Sequence, residues 1–399
     1  MSDENNLTRY VCRKESFGAT ILDRQDKWID YISEPELQNF QQSGFLEFNG
    51  KFIKFNETRV VKNSILPNNT FSAPDNIYFE ITRNCNLQCN HCFNESGVST
   101  KNEWLWADIQ RILKRAHEIG VFNIRFTGGE PLFSKNTFDA LTLAKNLGLV
   151  TSLGTNGTLI TPDVAKKLKQ SDVKLVIVSI EGLEEIHDSI RGGGNFKRSI
   201  IGIKNLLNEA VKVRINAVAM KKNLNQMTEL IKLTKELGVG LMIRRLIPVG
   251  RSNKSLMLSP SEYKELIKVI NKNKIDSNVG LMTHYEPTKI KKSRIRISFH
   301  SPKCSCGDRG LDILPNGDVF ACGFLAPLGD DFKAGNINEQ DLFNIWLNSP
   351  VLKKQRQESI NSVCRTTCPK KDVCTGSCPA LLNQFNKADP YCSVMNKGK

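Results

Sequence analysis

The stretch ITRNCNLQCNHCFNESG, residues 81–97, sets Cys85, Cys89 and Cys92 with three and then two residues between them, directly after the apolar run NIYFEIT (76–82). Thiolates this close in sequence converge on one soft metal centre, and an iron–sulfur cluster takes one cysteine per iron. Three thiolates on four irons leave one iron open, and an open coordination position serves a ligand that is not protein. Two other readings use the same residues: a zinc site completed by a distant ligand such as His91, and three incidental thiols. The five histidines form no ligand-like pair, which weighs against zinc.

Outward from this stretch, residues 75–287 alternate short apolar runs with longer amphipathic ones at a repeat of roughly 25 to 35 residues, the pattern of stacked βα units. Strands are expected at 76–82, 123–128, 150–156, 174–182, 212–220 and 240–248, with helices at 103–120, 136–147, 195–210 and 223–237. The fold class is therefore α/β, a partial (β/α)6 TIM-like barrel over residues 73–290. Such barrels carry their chemistry on the loops after the strand C-termini, where the three cysteines sit. Residues 1–72 read as a small α+β unit. FGATIL (17–22) and KWIDYI (27–32) flank a turn, SEPELQNFQQSG (33–44) is a capped helix, and FLEFNGKFIKF (45–55) is a hairpin around Asn49 and Gly50. Residues 291–399 form an irregular domain holding eight of the twelve cysteines. Between them KIKKSRIRISF (289–299) is a basic linker or edge strand with a solvated face.

Composition narrows the setting. No apolar run reaches about 18 residues, and the N-terminus lacks the layout of a secretory signal, so a cytoplasmic location and no membrane partner are expected. Twelve cysteines in a reducing compartment point to metal binding or catalysis rather than disulfides. Cys12 stands alone and reads as a small buried hydrophobe. The net charge of +15 suits an acidic partner or serves solubility alone. Nucleic acid is not the expected partner, and RNA binding would declare itself by a steep salt dependence.

CNLQCNHC (85–92) resembles the C-x3-C-x2-C signature of the radical S-adenosylmethionine (SAM) enzymes, and TGGEP (127–131), after the second strand, matches their GGE motif. The resemblance implies a 4Fe–4S cluster on Cys85, Cys89 and Cys92, whose open iron is chelated by the amino and carboxylate groups of SAM. Reductive cleavage then yields a 5′-deoxyadenosyl radical that abstracts hydrogen. Gly128 and Gly129 would let the backbone approach a ligand closely, and Glu130 would accept from its ammonium group. Asn156 in GTNG and Ser179 in VSIEG stand where relatives contact ribose and methionine, or cap loops. Arg191 in HDSIRG matches an arginine that relatives place near the carboxylate, or pairs with Glu181 or Asp188. His91 takes the position of an aromatic residue near adenine.

The late cysteines resemble the SPASM extension of the same superfamily, with Gly317 ahead of Cys322 and then C-x3-C-x5-C-x3-C. The resemblance implies two auxiliary 4Fe–4S clusters, one on Cys304, Cys306, Cys322 and Cys378, the other on Cys364, Cys368, Cys374 and Cys392. Cys304 and Cys306 are one residue apart, so both ligate or one meets substrate. Zinc at one of these sites is the alternative. Relatives with this extension mostly modify peptides, making thioether or carbon–carbon cross-links. RKESFGATILDR (13–24) is similar to openings of peptide maturases that continue into a winged-helix leader-binding domain, although this unit shows one clear helix where those have three. An exposed strand captures an extended leader by sheet addition. An acidic flavodoxin or ferredoxin would supply the electron. The alternatives are haem or cofactor biosynthesis, a formylglycine-generating sulfatase maturase, and a non-enzymatic electron carrier. Gly323 stands against the sulfatase activity, whose enzymes have Asp there. The sequence names no catalytic acid or base.

Overall fold

The computed structural model describes residues 8–48, 51–68, 70–97, 103–273, 279–282, 304, 306–361, 378–385 and 389–392. The N-terminal unit runs β1 (Tyr10–Glu15), β2 (Gly18–Asp23), β3 (Trp28–Ser33), α1 (Glu34–Ser43), the hairpin β4 (Phe45–Phe48) and β5 (Lys51–Lys54), then β6 (Thr58–Val61). Its sheet has the order β3-β2-β1-β6, which leaves β3 and β6 at the edges. Ser33 and Glu36 close a reciprocal capping box on α1, and Gly44 ends the helix at φ 76°. The expected strand pair, helix and hairpin are present, and the Asn49–Gly50 turn lies outside the described residues. Strands β1 and β6 were not expected.

A buried charge cluster joins this unit to the barrel. Arg13, fully buried on β1, donates from Nε to Glu15 Oε1 at 2.6 Å and from Nη2 to Asp75 Oδ1 at 2.7 Å. Its Nη1 donates to the Gly120 carbonyl at 2.9 Å, while the Tyr31 hydroxyl donates to Asp75 Oδ2 at 3.0 Å. Arg309, from the C-terminal part, donates to that hydroxyl at 3.3 Å.

The barrel strands are β7 (Asn76–Thr82), β8 (Asn123–Gly128), β9 (Val150–Thr155), β10 (Leu175–Ser179), β11 (Val213–Ala219), β12 (Gly240–Arg245) and β13 (Val279–Met282), paired in parallel in chain order. The six expected strands are in place, and β13 is an addition. Helices expected at 103–120, 136–147, 195–210 and 223–237 form as Trp106–Glu118, Thr137–Asn146, Asn195–Asn208 and Met227–Glu236. Three more, Pro162–Gln170, Glu184–Arg191 and Pro260–Asn273, were not anticipated. The sheet continues into the C-terminal part: β14 (Gly310–Ile313) pairs in parallel with β7, followed by β15 (Asp318–Phe320) and β16 (Lys333–Asn336). The described C-terminal residues also share the barrel's hydrophobic core. The basic segment 289–299 is outside the described residues.

Strand periodicity divides the barrel residues into two sets. Ile77, Phe79, Phe126, Leu153, Val176, Ile215 and Ile243 are fully buried. Their alternates, Tyr78, Arg125, Ser152, Arg214 and Arg244, are half-buried. A closed TIM barrel packs its interior with branched apolar side chains. This one lines it with polar groups and has room for a ligand. Among the described residues no helix is long and apolar enough to cross a membrane.

Candidate active site

Thr82 ends β7, and the chain then loops so that the Cys85 amide donates to the Gly97 carbonyl at 2.9 Å, which ties the cysteine loop at its base. Inside it the Cys92 amide donates to the Cys89 carbonyl at 3.3 Å. Arg251, on the loop after β12, clasps the same loop from outside. Its Nε donates to the Cys89 carbonyl at 3.0 Å, its Nη2 to the Ser96 carbonyl at 2.7 Å, and its amide to the Cys92 carbonyl at 3.0 Å. Sequence reading missed Arg251, whose only local signal is its place after a strand C-terminus. Cys85, Cys89 and Cys92 open on one cavity with His91, Gly128, Gly129, Asn156, Ser179 and Arg191, so the expected residues come together, apart from Glu130.

Gly128 and Gly129 line the cavity and also answer a need within the chain. Gly128 has φ 144°, and a Cβ there would overlap the Thr82 carbonyl; one on Gly129 would overlap that of Asn84. The turn is stitched to the cysteine loop by Gly129 N–H to Thr82 O at 2.8 Å and Glu130 N–H to Asn84 O at 2.9 Å. Gly128→Ala is therefore expected to cost more than about 4 kcal/mol, strain and overlap together. Urea denaturation checks this, and a stable variant would show the turn to be adaptable.

Glu130 is fully buried and does not line the cavity. Its Oε1 accepts from the Thr155 hydroxyl at 2.8 Å and the Leu132 amide at 3.2 Å, and its Oε2 from the Asn156 amide at 2.7 Å. These bonds make it a brace that fixes the end of β9. Burial pushes its carboxyl up to about 7 despite these three donors. A folded-state value above the unfolded one means stability that is complete below about pH 4.5 and falls away as pH rises through about 7, on the order of 3 kcal/mol. Glu130→Gln should flatten that slope, read as the difference between denaturation curves at pH 5 and pH 8. An unchanged difference would refute the assignment.

Glu181, just beyond β10, is the fully buried hub of the opposite wall. Arg191 reaches its Oε1 with Nη2 at 2.6 Å and Nε at 3.0 Å, His91 Nε2 lies 3.2 Å from the same oxygen, and the Val218 amide donates to Oε2 at 2.7 Å. Burial opposes the charge of Glu181, but Arg191 and then His91 outweigh it and hold the carboxylate well below its usual range. Of the two partners weighed for Arg191, the structure selects Glu181; Asp188 instead accepts from the Gly194 and Phe196 amides. The free arm of Arg191, Nη1, points at Cys89 Sγ at 3.5 Å. Asn156 Nδ2 donates to Asn86 Oδ1 at 2.8 Å and lies 4.0 Å from Cys85 Sγ. His91 Nδ1 is buried with no partner among the described residues.

A second cavity adjoins the first and shares Phe93, Arg125, Arg244 and Phe324 with it. Cys304, Cys306, Cys322 and Cys378 all line it. Burial and then the neighbouring Cys304 and Cys322 push the Cys378 thiol up to about 12. Cys364, Cys368 and Cys374 lie outside the described residues, and Cys392 is buried elsewhere in this part. Asp312 on β14 takes the space beside Gly323, where an added Cβ would sit 2.9 Å from its Oδ1. Burial, and then the charge of Glu80, raise its carboxyl to about 8. Sequence reading missed Asp312, because its placement depends on β14 joining β7.

The family model of the radical SAM superfamily matches residues 79–234, and that of SPASM, an iron–sulfur cluster-binding domain, matches residues 304–369. An AdoMet-dependent heme synthase from Methanosarcina barkeri is 33% identical over 350 residues, covering 82% of this chain and 98% of the relative. The chain belongs to the radical SAM superfamily. A mycofactocin maturase MftC from Mycolicibacterium smegmatis is 30% identical over 319 residues, covering 77% of this chain and 79% of that one. The crystal structure of Streptococcus suis SuiB bound to precursor peptide SuiA shares the fold, with a TM-score of 0.77 at 19% identity over 98% of this chain and 99% of that chain. This radical SAM protein is an enzyme; its radical SAM domain binds a 4Fe–4S cluster and SAM, and its SPASM domain binds iron–sulfur. The residues present fit those groups. Soft thiols line both cavities, and burial pushes the Cys85 thiol up to about 11, so taking up iron displaces protons.

Proposed function

We propose that this radical SAM enzyme matures a ribosomally made peptide, abstracting hydrogen from one residue and installing a thioether or carbon–carbon cross-link or a similar modification. Cys85, Cys89 and Cys92 hold the cluster, with Asn156, Ser179, Arg191 and His91 around its nucleotide. When bound, that pair supplies an electron and a 5′-deoxyadenosyl radical. The chain's own residues position it: Arg191, fixed by Glu181, places positive charge against Cys89, and Arg251 keeps the loop in shape. Cys304, Cys306, Cys322 and Cys378 hold one auxiliary 4Fe–4S cluster, and Cys364, Cys368, Cys374 and Cys392 the other. Asp312, protonated near neutral pH, is the acid–base group nearest Gly323. An acidic flavodoxin or ferredoxin meets the basic surface in the cytoplasm.

The observation that carries this reading is the N-terminal unit. Residues 1–72 bind the leader segment of the peptide, residues 73–290 form the radical SAM barrel, and residues 291–399 form the SPASM domain. Among the described residues the unit has β3 and β6 at the two edges of its sheet. SuiB, crystallised with its precursor peptide, shares the fold across 98% of this chain, this unit included, and MftC is a maturase by name. The test is anaerobic incubation of the reconstituted enzyme with SAM, dithionite and any short peptide found encoded beside its gene. A peptide lighter by about two hydrogens per cross-link, formed together with 5′-deoxyadenosine, is expected. A second reading, tetrapyrrole modification, draws on the 33% identity to the heme synthase. Turnover of a tetrapyrrole with the peptide untouched would replace the first reading by the second.

A further inference from the structure

The barrel interior contains three arginines that the chemistry so far leaves unused. Arg125 on β8, Arg214 on β11 and Arg244 on β12 occupy the inward alternation of their strands. Three further deeply buried arginines of this chain come with carboxylates: Arg13 with Glu15 and Asp75, Arg191 with Glu181, and Arg245 with Asp389 at 2.8 Å. Among the described residues none of the inward three has a carboxylate in ion-pair contact. Arg125 stands over the Tyr78 ring at 5.4 Å, and Arg214 donates to Asn216 Oδ1 at 3.2 Å. The Nε atoms of Arg125 and Arg244 are buried with no hydrogen-bond partner.

Burial, and then the charge of Arg244, pull Arg125 down to about 10 and lower Arg214 as well. Asp312 lines the same cavity as Arg125 and Arg244 but makes no ion-pair contact with any of the three. Unneutralised like charges in a buried wall destabilise the empty protein, and such a conflict is characteristic of a binding site. Both Arg125 and Arg244 line the cavity of Cys85, Cys89 and Cys92 as well as that of Cys304, Cys306, Cys322 and Cys378. Whatever they hold lies between the two sets of thiols.

We propose that Arg125 and Arg244, backed by Arg214, bind a carboxylate of the substrate, so that the peptide residue presented to the radical is an acidic residue or the C-terminal one. The inference rests on the peptide reading only in supposing that the carboxylate arrives on a peptide.

The test uses the reconstituted full chain, saturated with SAM and without reductant, in saturation-transfer difference NMR. The probes are acetyl-Gly-Glu-Gly-amide, acetyl-Gly-Gln-Gly-amide, acetyl-Gly-Gln-Gly with a free C-terminus, and coproporphyrin. At least one acid peptide should receive saturation about tenfold or more above the neutral amide, the size expected for a charge-assisted contact. Arg125→Met with Arg244→Met should abolish that difference and raise the thermal midpoint by about 2–5 °C, because the repulsion goes with the charges. Retained cluster absorbance and circular dichroism establish that the variant is folded. Equal signals from acid and neutral peptides, no signal from any probe, or a variant that is destabilised would overturn the proposal. Coproporphyrin binding that is lost in the variant, with neither acid peptide bound, would support the arginine site and sink the peptide reading instead.

Discussion

Cys89→Ser will abolish reductive cleavage of SAM, with a loss of about a thousandfold or more, while the chain stays folded and keeps its C-terminal iron. Serine matches cysteine in size, but its hydroxyl is a hard, weakly acidic donor where iron in a cluster wants a thiolate. The position is also the one on which the local electrostatics converge. Arg191 Nη1 lies 3.5 Å from Cys89 Sγ, and the Cys89 carbonyl accepts from Arg251. Burial raises this thiol and Arg191 works against the rise, so the guanidinium favours the thiolate that the metal needs. Iron analysis after anaerobic reconstitution should show about four irons fewer per chain, with 5′-deoxyadenosine at background. Full iron together with intact cleavage would remove Cys89 from the site.

Arg13→Met will destabilise the protein by about 3–5 kcal/mol, the usual cost of breaking a buried ion pair from one side. The substitution leaves Glu15 and Asp75 facing each other in a fully buried setting. The Gly120 carbonyl loses its donor as well. The loss should shrink towards acidic pH, since burial already raises the Glu15 carboxyl and a protonated Glu15 tolerates the gap better. Pairing the change with Glu15→Gln should restore part of the stability, a coupling that urea midpoints of the two single variants and the double variant measure directly. Strict additivity would mean that the cluster does not act as a unit.

The sequence made visible what is local and left hidden what is assembled. Cys85, Cys89 and Cys92 lie within one loop and GGE within one turn, so spacing alone announced them. Six strands and four helices could be read because their apolar residues repeat at fixed periods. The role of Glu130 could not, because it depends on Thr155 and Asn156 from the neighbouring strand end. Nor could β14, four residues long and paired with a strand more than 200 positions earlier. The inward arginines were a different omission. Their alternation is plain in NIRFTG, VRINAVA and GLMIRR, yet a polar residue at a buried strand position looks like surface until the barrel curls around it.

The Arg13 cluster has a bearing on selectivity. It ties the N-terminal sheet to the barrel through paired, buried charges and reaches Arg309 by way of Tyr31, so the sheet edge is tethered to the barrel. On the maturase function proposed above, a precursor anchored at one and processed at the other is measured as if against a ruler. The distance from the anchor then joins the arginine pair in choosing the residue that reaches the radical, and an acidic residue moved by one or two places would be spared.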